Sequence, residues 1–141
     1  MSDALYRKDL LRLAADAAGA GRLAHPHASA MVHNPACGDR VTVDLVLENG
    51  RIAALAHSTQ ACVLTQASAA ILGADAVGLN RKEIAALADS VRAMLKGGPV
   101  PMAPFDAYKV FEGVAHHPGR HTCVLLPLEA LLQALEMLER R

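Results

Sequence analysis

From Arg40 to Glu48, the apolar residues Val41, Val43, Leu45 and Leu47 alternate with Thr42, Asp44 and Glu48. This is the period of a strand with one buried face. Asn49-Gly50 supplies a two-residue hairpin turn, and Arg51 to Ser58 returns as the partner strand. Upstream, Tyr6, Leu10, Leu13, Ala14 and Ala17 fall on one face of a helix over Ser2 to Ala18, with Lys8, Asp9, Arg12 and Asp16 outside it and Gly19 and Gly21 as its stop. Ala28 to His33 reads as a short strand. Downstream, Cys62 opens a helix of small residues from Val63 to about Leu72, ended near Gly73. Asn80-Arg81-Lys82-Glu83 has the form of a capping box and starts a helix that runs through Lys96 to Gly97-Gly98. Pro99, Pro101 and Pro104 predict a loop, followed by a short helix from Phe105 to about Glu112. Leu128, Leu131, Leu132, Leu135 and Leu138 mark a closing helix. Pro127 lacks a donor and crowds the carbonyl four residues earlier, so that helix is expected to start near Leu126, with Cys123 just before it.

At 141 residues the chain is expected to be a single domain, 1–141, with room for a real core. It is 52% hydrophobic but only 3% aromatic, without Trp, which favours closely packed helices and disfavours stacking surfaces for single-stranded nucleic acid. Fourteen basic residues balance fourteen acidic ones, so no overall field attracts nucleic acid or an anionic membrane. Expected partners are therefore proteins or small ions. The first residues lack a basic segment followed by an apolar run, and no later stretch is expected to reach membrane-spanning length. A cytoplasmic location follows as an expectation, and three cysteines, an odd number, then read as free thiols.

Those thiols sit where chemistry is possible. In Asn34-Pro35-Ala36-Cys37-Gly38-Asp39, Pro35 and Gly38 build a tight turn that lets Cys37 and Asp39 point at one spot. A thiolate is a soft donor and a carboxylate a harder, more easily displaced one, a pair suited to a site that holds a metal and later lets go. The antiparallel hairpin brings its entry and exit together, so Cys62 is expected beside Cys37. A sulfur at a helix N-terminus also faces unpaired backbone N–H groups and the positive end of the dipole. Cys123 falls at a third element boundary, which points to a shared site; cysteines that only fill cores more often lie inside helices and strands. His25, His27 and His33 lack a ligand spacing of their own and read as surface or hydrogen-bonding residues.

These features together resemble the NifU/IscU/SufU family of iron–sulfur cluster assembly proteins. The resemblance runs from the first helix to near the C-terminus. It is carried by Asn-Pro-x-Cys-Gly-Asp at Asn34 to Asp39, the hairpin, Ala61-Cys62 with Gln66-Ala67-Ser68, and a third Cys ahead of the closing helix. It implies an α+β fold, a small, largely antiparallel three-stranded sheet packed against helices (SufE/NifU-like), with the site at one end of the sheet. It also implies Cys37, Asp39, Cys62 and Cys123 as ligands. Where the IscU branch has Leu-Pro-Pro-Val-Lys before a His-Cys pair, this chain reads His117-Pro118-Gly119-Arg120-His121-Thr122-Cys123. That departure removes the chaperone-docking signal and moves His121 one position further from the cysteine. The long interval from Cys62 to Cys123 is similar to the SufU branch, whose members are associated with tightly bound zinc and with sulfur acceptance.

Three thiolates and a carboxylate suit either a tetrahedral Zn2+ or the two irons of a [2Fe–2S] cluster. By the resemblance, a cysteine desulfurase would donate sulfur, with Cys37 the candidate acceptor in its accessible turn. Apo iron–sulfur proteins or downstream assembly proteins would receive the product. A scaffold that assembles a cluster and a zinc-dependent sulfurtransferase that relays persulfide sulfur both fit. A purely structural zinc fits less well, because closed structural sites are usually built from Cys and His alone.

Overall fold

A computed structural model describes residues 3–36 and 38–139, with side chains from Lys8 onward. Tyr6, assigned above to the buried face of the first helix, and Cys37 lie outside the described side chains. Four α-helices, α1 (Asp3–Asp16), α2 (Val63–Asp75), α3 (Arg81–Leu95) and α4 (His121–Glu139), accompany three strands, β1 (Ala28–Asn34), β2 (Asp39–Glu48) and β3 (Arg51–Gln60). The strands form one antiparallel sheet in the order β1-β2-β3, so the fold is α+β.

The hairpin forms as its sequence dictates. Glu48 faces Arg51, and Asn49 (φ 55°) and Gly50 (φ 77°) take the left-handed conformation that a two-residue turn of this hand needs at both positions. On one face of β2, Val41, Val43 and Leu45 are buried under the helices; α4 packs on β1 and β2, and α2 packs on β3. The opposite face is not simply solvated. Asp44, expected to point outward, is fully buried because the chain after α1 folds over it: the Arg22 guanidinium bonds both carboxylate oxygens (2.7 and 3.1 Å), joined by Leu23 N–H (3.0 Å) and Ser29 Oγ (2.5 Å). Burial alone would raise the Asp44 carboxyl, but these donors outweigh it and hold the group below its ordinary pKa.

The same returning segment covers the outer edge of β3. Gly21 N–H donates to the His57 carbonyl and His57 N–H to the Gly19 carbonyl, while Ile52 exchanges bonds with Leu79 and Gly78. Edge groups that would otherwise invite another strand are thereby occupied.

Several boundaries differ from expectation for tertiary reasons. α2 runs through Gly73 to Asp75. Gly73 is where α2 meets the segment after α1: a Cβ there would lie 1.9 Å from the Ala18 carbonyl oxygen, so glycine permits an approach and does not stop the helix. α3 keeps its predicted start, with both halves of the capping box made between Asn80 and Glu83. It ends in paired bonds from Gly97 and Gly98 N–H to the Met94 and Ala93 carbonyls. The segment after the prolines is a succession of 3₁₀ turns over Phe105–His116, longer than the short helix expected. Phe105, Tyr108, Phe111 and Val114 are its buried residues, and their spacing of three matches three residues per turn.

α4 begins at His121, not near Leu126, and carries Pro127 inside it. The segment Pro118–Glu139 is long and apolar enough, by length and composition, to cross a membrane, contrary to the sequence expectation. Here that hydrophobicity is spent internally. Val124, Leu126, Leu128, Leu131 and Leu135 are buried in the core that α4 shares with α2, α3, β1 and β2.

Candidate metal centre

Three of the four residues singled out in the sequence converge at the end of the sheet opposite the hairpin turn. Asp39 is the first residue of β2, Cys62 caps the N-terminus of α2, and Cys123 lies in the first turn of α4. Their ligand atoms all fall within 4.8 Å of one another. Asp39 and Cys123 are buried, whereas Cys62 is exposed. Cys37, the fourth, lies outside the described residues, but the turn around it is defined: Asn34 accepts from Gly38 N–H through its carbonyl (2.8 Å) and from Ala36 N–H through its side chain (3.1 Å).

The register explains the convergence. Gln60 pairs with Arg40, so β3 delivers the chain beside Asp39, whose carboxylate accepts from Cys62 N–H at 3.2 Å. The same carboxylate lies 3.5 Å from Cys62 Sγ and 3.0 Å from Thr65 Oγ1. Gln66 closes the corner by donating to the Ala61 carbonyl (2.8 Å). Cys123 is brought in by α4 packing on α2, where the small side chains Ala67 and Ala70 are buried and permit close approach.

Pro127 shapes this corner. It has no N–H to offer the Cys123 carbonyl four residues before it, and the Thr65 hydroxyl oxygen lies 2.9 Å from that carbonyl. One turn along, Ser68 donates to the Val124 carbonyl (2.7 Å) and lies 3.1 Å from the Tyr108 hydroxyl, so Tyr108 donates to Ser68. Burial raises the Tyr108 phenol and keeps it neutral, which that role requires. Thr65 was not singled out in the sequence. Its signal was faint: a hydroxyl three residues after Cys62, one helical turn away on the same face.

An open cleft of about 360 Å3 leads to the cysteines, lined by Asn34, Ala36, Cys62, Leu64, Arg120 and Cys123, among others. His121 is not part of the cluster; its Nε2 lies 3.2 Å from the Val114 carbonyl. His25, His27 and His33 are exposed, and His27 Nδ1 accepts from Leu47 N–H.

Two soft sulfurs and one carboxylate oxygen, in reach of a single ion and opening onto a cleft, form a donor set for zinc or iron and not for calcium or magnesium. The family described as the NifU-like N terminal domain matches residues 5–141. The chain belongs to this family. It is similar to the iron–sulfur cluster assembly scaffold protein IscU of Streptococcus pyogenes, 27% identical over 106 residues, covering 74% of this chain and 67% of that protein. Among solved structures it resembles a nitrogen-fixing NifU-like protein (N-terminal) from Brucella abortus, with a TM-score of 0.93 and 35% identity over 99% of this chain and 97% of that one. It also shares the fold of FiSufU from Fervidobacterium islandicum, a protein proposed as the scaffold of the SUF system (TM-score 0.82, 22% identity, 96% and 99% covered).

Proposed function

We propose that this chain acts, as one NifU-like domain in the cytoplasm, as an iron–sulfur cluster assembly protein that accepts sulfur from a cysteine desulfurase. The cluster or its components are held on Cys37, Asp39, Cys62 and Cys123 and passed to apo iron–sulfur proteins. The observation that carries this reading is the convergence of Asp39, Cys62 and Cys123 from three elements beside a cleft that the two cysteines line. Family membership and the likeness to IscU support it.

Each residue has a part in that chemistry. The desulfurase presents a persulfide, and the Cys37 thiolate attacks its outer sulfur. A new S–S bond forms at Cys37 and the desulfurase leaves as a thiolate, so no external oxidant or reductant is consumed. Exposed Cys62 adjoins the same cleft and can receive cargo from it, while buried Cys123 holds the inner side. Asp39 is the hard donor among soft ones and the first to yield when cargo moves.

A second reading, a zinc-dependent sulfurtransferase that relays persulfide sulfur without holding iron, is favoured by one specific feature. Separations under 4.8 Å suit donors that share one ion, with Zn–S bonds of about 2.3 Å. Bound zinc would neutralise the thiolates and keep them available to an incoming sulfur.

Both readings predict that incubation with a desulfurase and cysteine adds sulfur to Cys37, detected by mass spectrometry after alkylation. Metal content of protein purified without air separates them: iron and sulfide in equal amounts support the scaffold, zinc the relay. If the desulfurase becomes loaded but no cysteine here gains sulfur, the acceptor role is wrong.

A further inference from the structure

Thr65 lies at the middle of the candidate centre without being one of its ligands. It is completely buried, and its Oγ1 is 3.0 Å from Asp39 Oδ2, 2.9 Å from the Cys123 carbonyl oxygen and 3.5 Å from Cys62 Sγ. It therefore touches all three converging residues, which come from β2, α2 and α4. A hydroxyl has one proton to donate, so it serves the Asp39 carboxylate or the Cys123 carbonyl, not both at once. Pro127 offers that carbonyl no helical N–H.

We infer that Thr65 is a positioning residue for Asp39: its hydroxyl holds the carboxylate in the metal site and turns to the Cys123 carbonyl when the carboxylate swings out. This rests on the reading of Asp39, Cys62 and Cys123 as metal ligands. A hydrogen bond to a charged acceptor is the stronger of the two, so donation to Asp39 dominates while the carboxylate is in place. Displacing Asp39 would otherwise leave the buried O–H only the Cys62 sulfur at 3.5 Å, and the nearer carbonyl removes that penalty. Release of the hard ligand thus becomes a rotation about one side-chain bond.

The test compares Thr65→Val, which keeps the shape and removes the hydroxyl, with Thr65→Ser, which keeps the hydroxyl. Each protein is loaded with zinc for chelator-driven release, and with cobalt for its visible spectrum, which reports donor set and geometry. Thr65→Val should release zinc about tenfold faster, the size expected for losing a residue that orients a ligand. Its cobalt bands should shift, while Thr65→Ser stays within about twofold of the parent and keeps the parent spectrum. In an Asp39→Ala background, Thr65→Val should add nothing further. Should Thr65→Val fail to fold by circular dichroism, Thr65→Ala makes the same deletion. Parent-like release with an unshifted spectrum would overturn the inference. So would equal effects of Val and Ser, or an undiminished effect without Asp39. Failure of the parent protein to bind cobalt or zinc would instead overturn the ligand reading, and this inference with it.

Discussion

His57 is buried where the chain after α1 meets β3. A carbonyl can only accept, so Nε2 carries the proton donated to Ala18 O (2.8 Å), and Nδ1 accepts from the Thr59 hydroxyl (2.9 Å). Burial lowers the His57 pKa below its ordinary 6.5, with the Ala18 bond opposing it less strongly. The folded state therefore binds fewer protons than the unfolded one between the two values. Stability from this group is complete above the unfolded value and declines as pH falls through 6.5 toward the folded pKa. Urea unfolding of the metal-stripped protein should show that decline, and His57→Gln should flatten it. Asp44 acts in a separate, lower window, because its depressed carboxyl loses its contribution only as pH falls from 3.8 through the folded value. A parent protein whose stability is level across the His57 window would contradict the neutral buried ring.

At the scale of elements, the approach of the segment after α1 to α2 gives the sharpest contrast between local and tertiary rules. Alanine is a better helix former than glycine by about 1 kcal/mol, so propensity alone says Gly73→Ala should stabilise. The new Cβ would stand 1.9 Å from the Ala18 carbonyl oxygen, a contact that only backbone movement relieves. We expect a net loss of about 2 kcal/mol or more, read as a lower denaturant midpoint, with the contacts of His57 loosened as well. An unchanged or raised midpoint would show that the segment shifts freely. The same contrast explains what the sequence disclosed. Asn49-Gly50, the Asn80–Glu83 box and the Gly97-Gly98 stop are written in a few adjacent residues, and all were legible. Gly73 and Pro127 looked like boundaries because glycine and proline usually are, but each serves a partner distant in the chain. In α4, the carbonyl that Pro127 cannot serve lies 2.9 Å from the Thr65 hydroxyl of α2. Asp44 was read as solvated because alternation reports which residues share a face, not what later covers it. At the candidate centre, the positions of Asp39 and Cys62 followed from element boundaries, whereas Cys123, expected ahead of the closing helix, lies inside its first turn, and Thr65 emerged only once α2 and α4 were packed together.

For the whole molecule, a metal bound by Asp39, Cys62 and Cys123 would join the start of β2, the start of α2 and the start of α4, elements separated by 23 and 61 residues of chain between successive ligands. An ion that binds only the folded arrangement stabilises all of it, not one loop. At free zinc about 100 times the dissociation constant, the gain is about 2.7 kcal/mol, which for a chain of this size corresponds to a melting temperature higher by about 8 °C. Cys123→Ala removes the inner thiolate but little packing volume, so the metal-free melting temperature should fall only slightly and the zinc-dependent increment should disappear. Asp39→Ala should keep more of the increment than Cys123→Ala, because the Cys62 and Cys123 thiolates and the proposed Cys37 thiolate remain and the lost donor is the weakest for zinc. Calorimetry of the three proteins with and without zinc separates these outcomes. An undiminished increment in Cys123→Ala would place the ion elsewhere. The burial of Cys123 against α2 would then be no more than core packing.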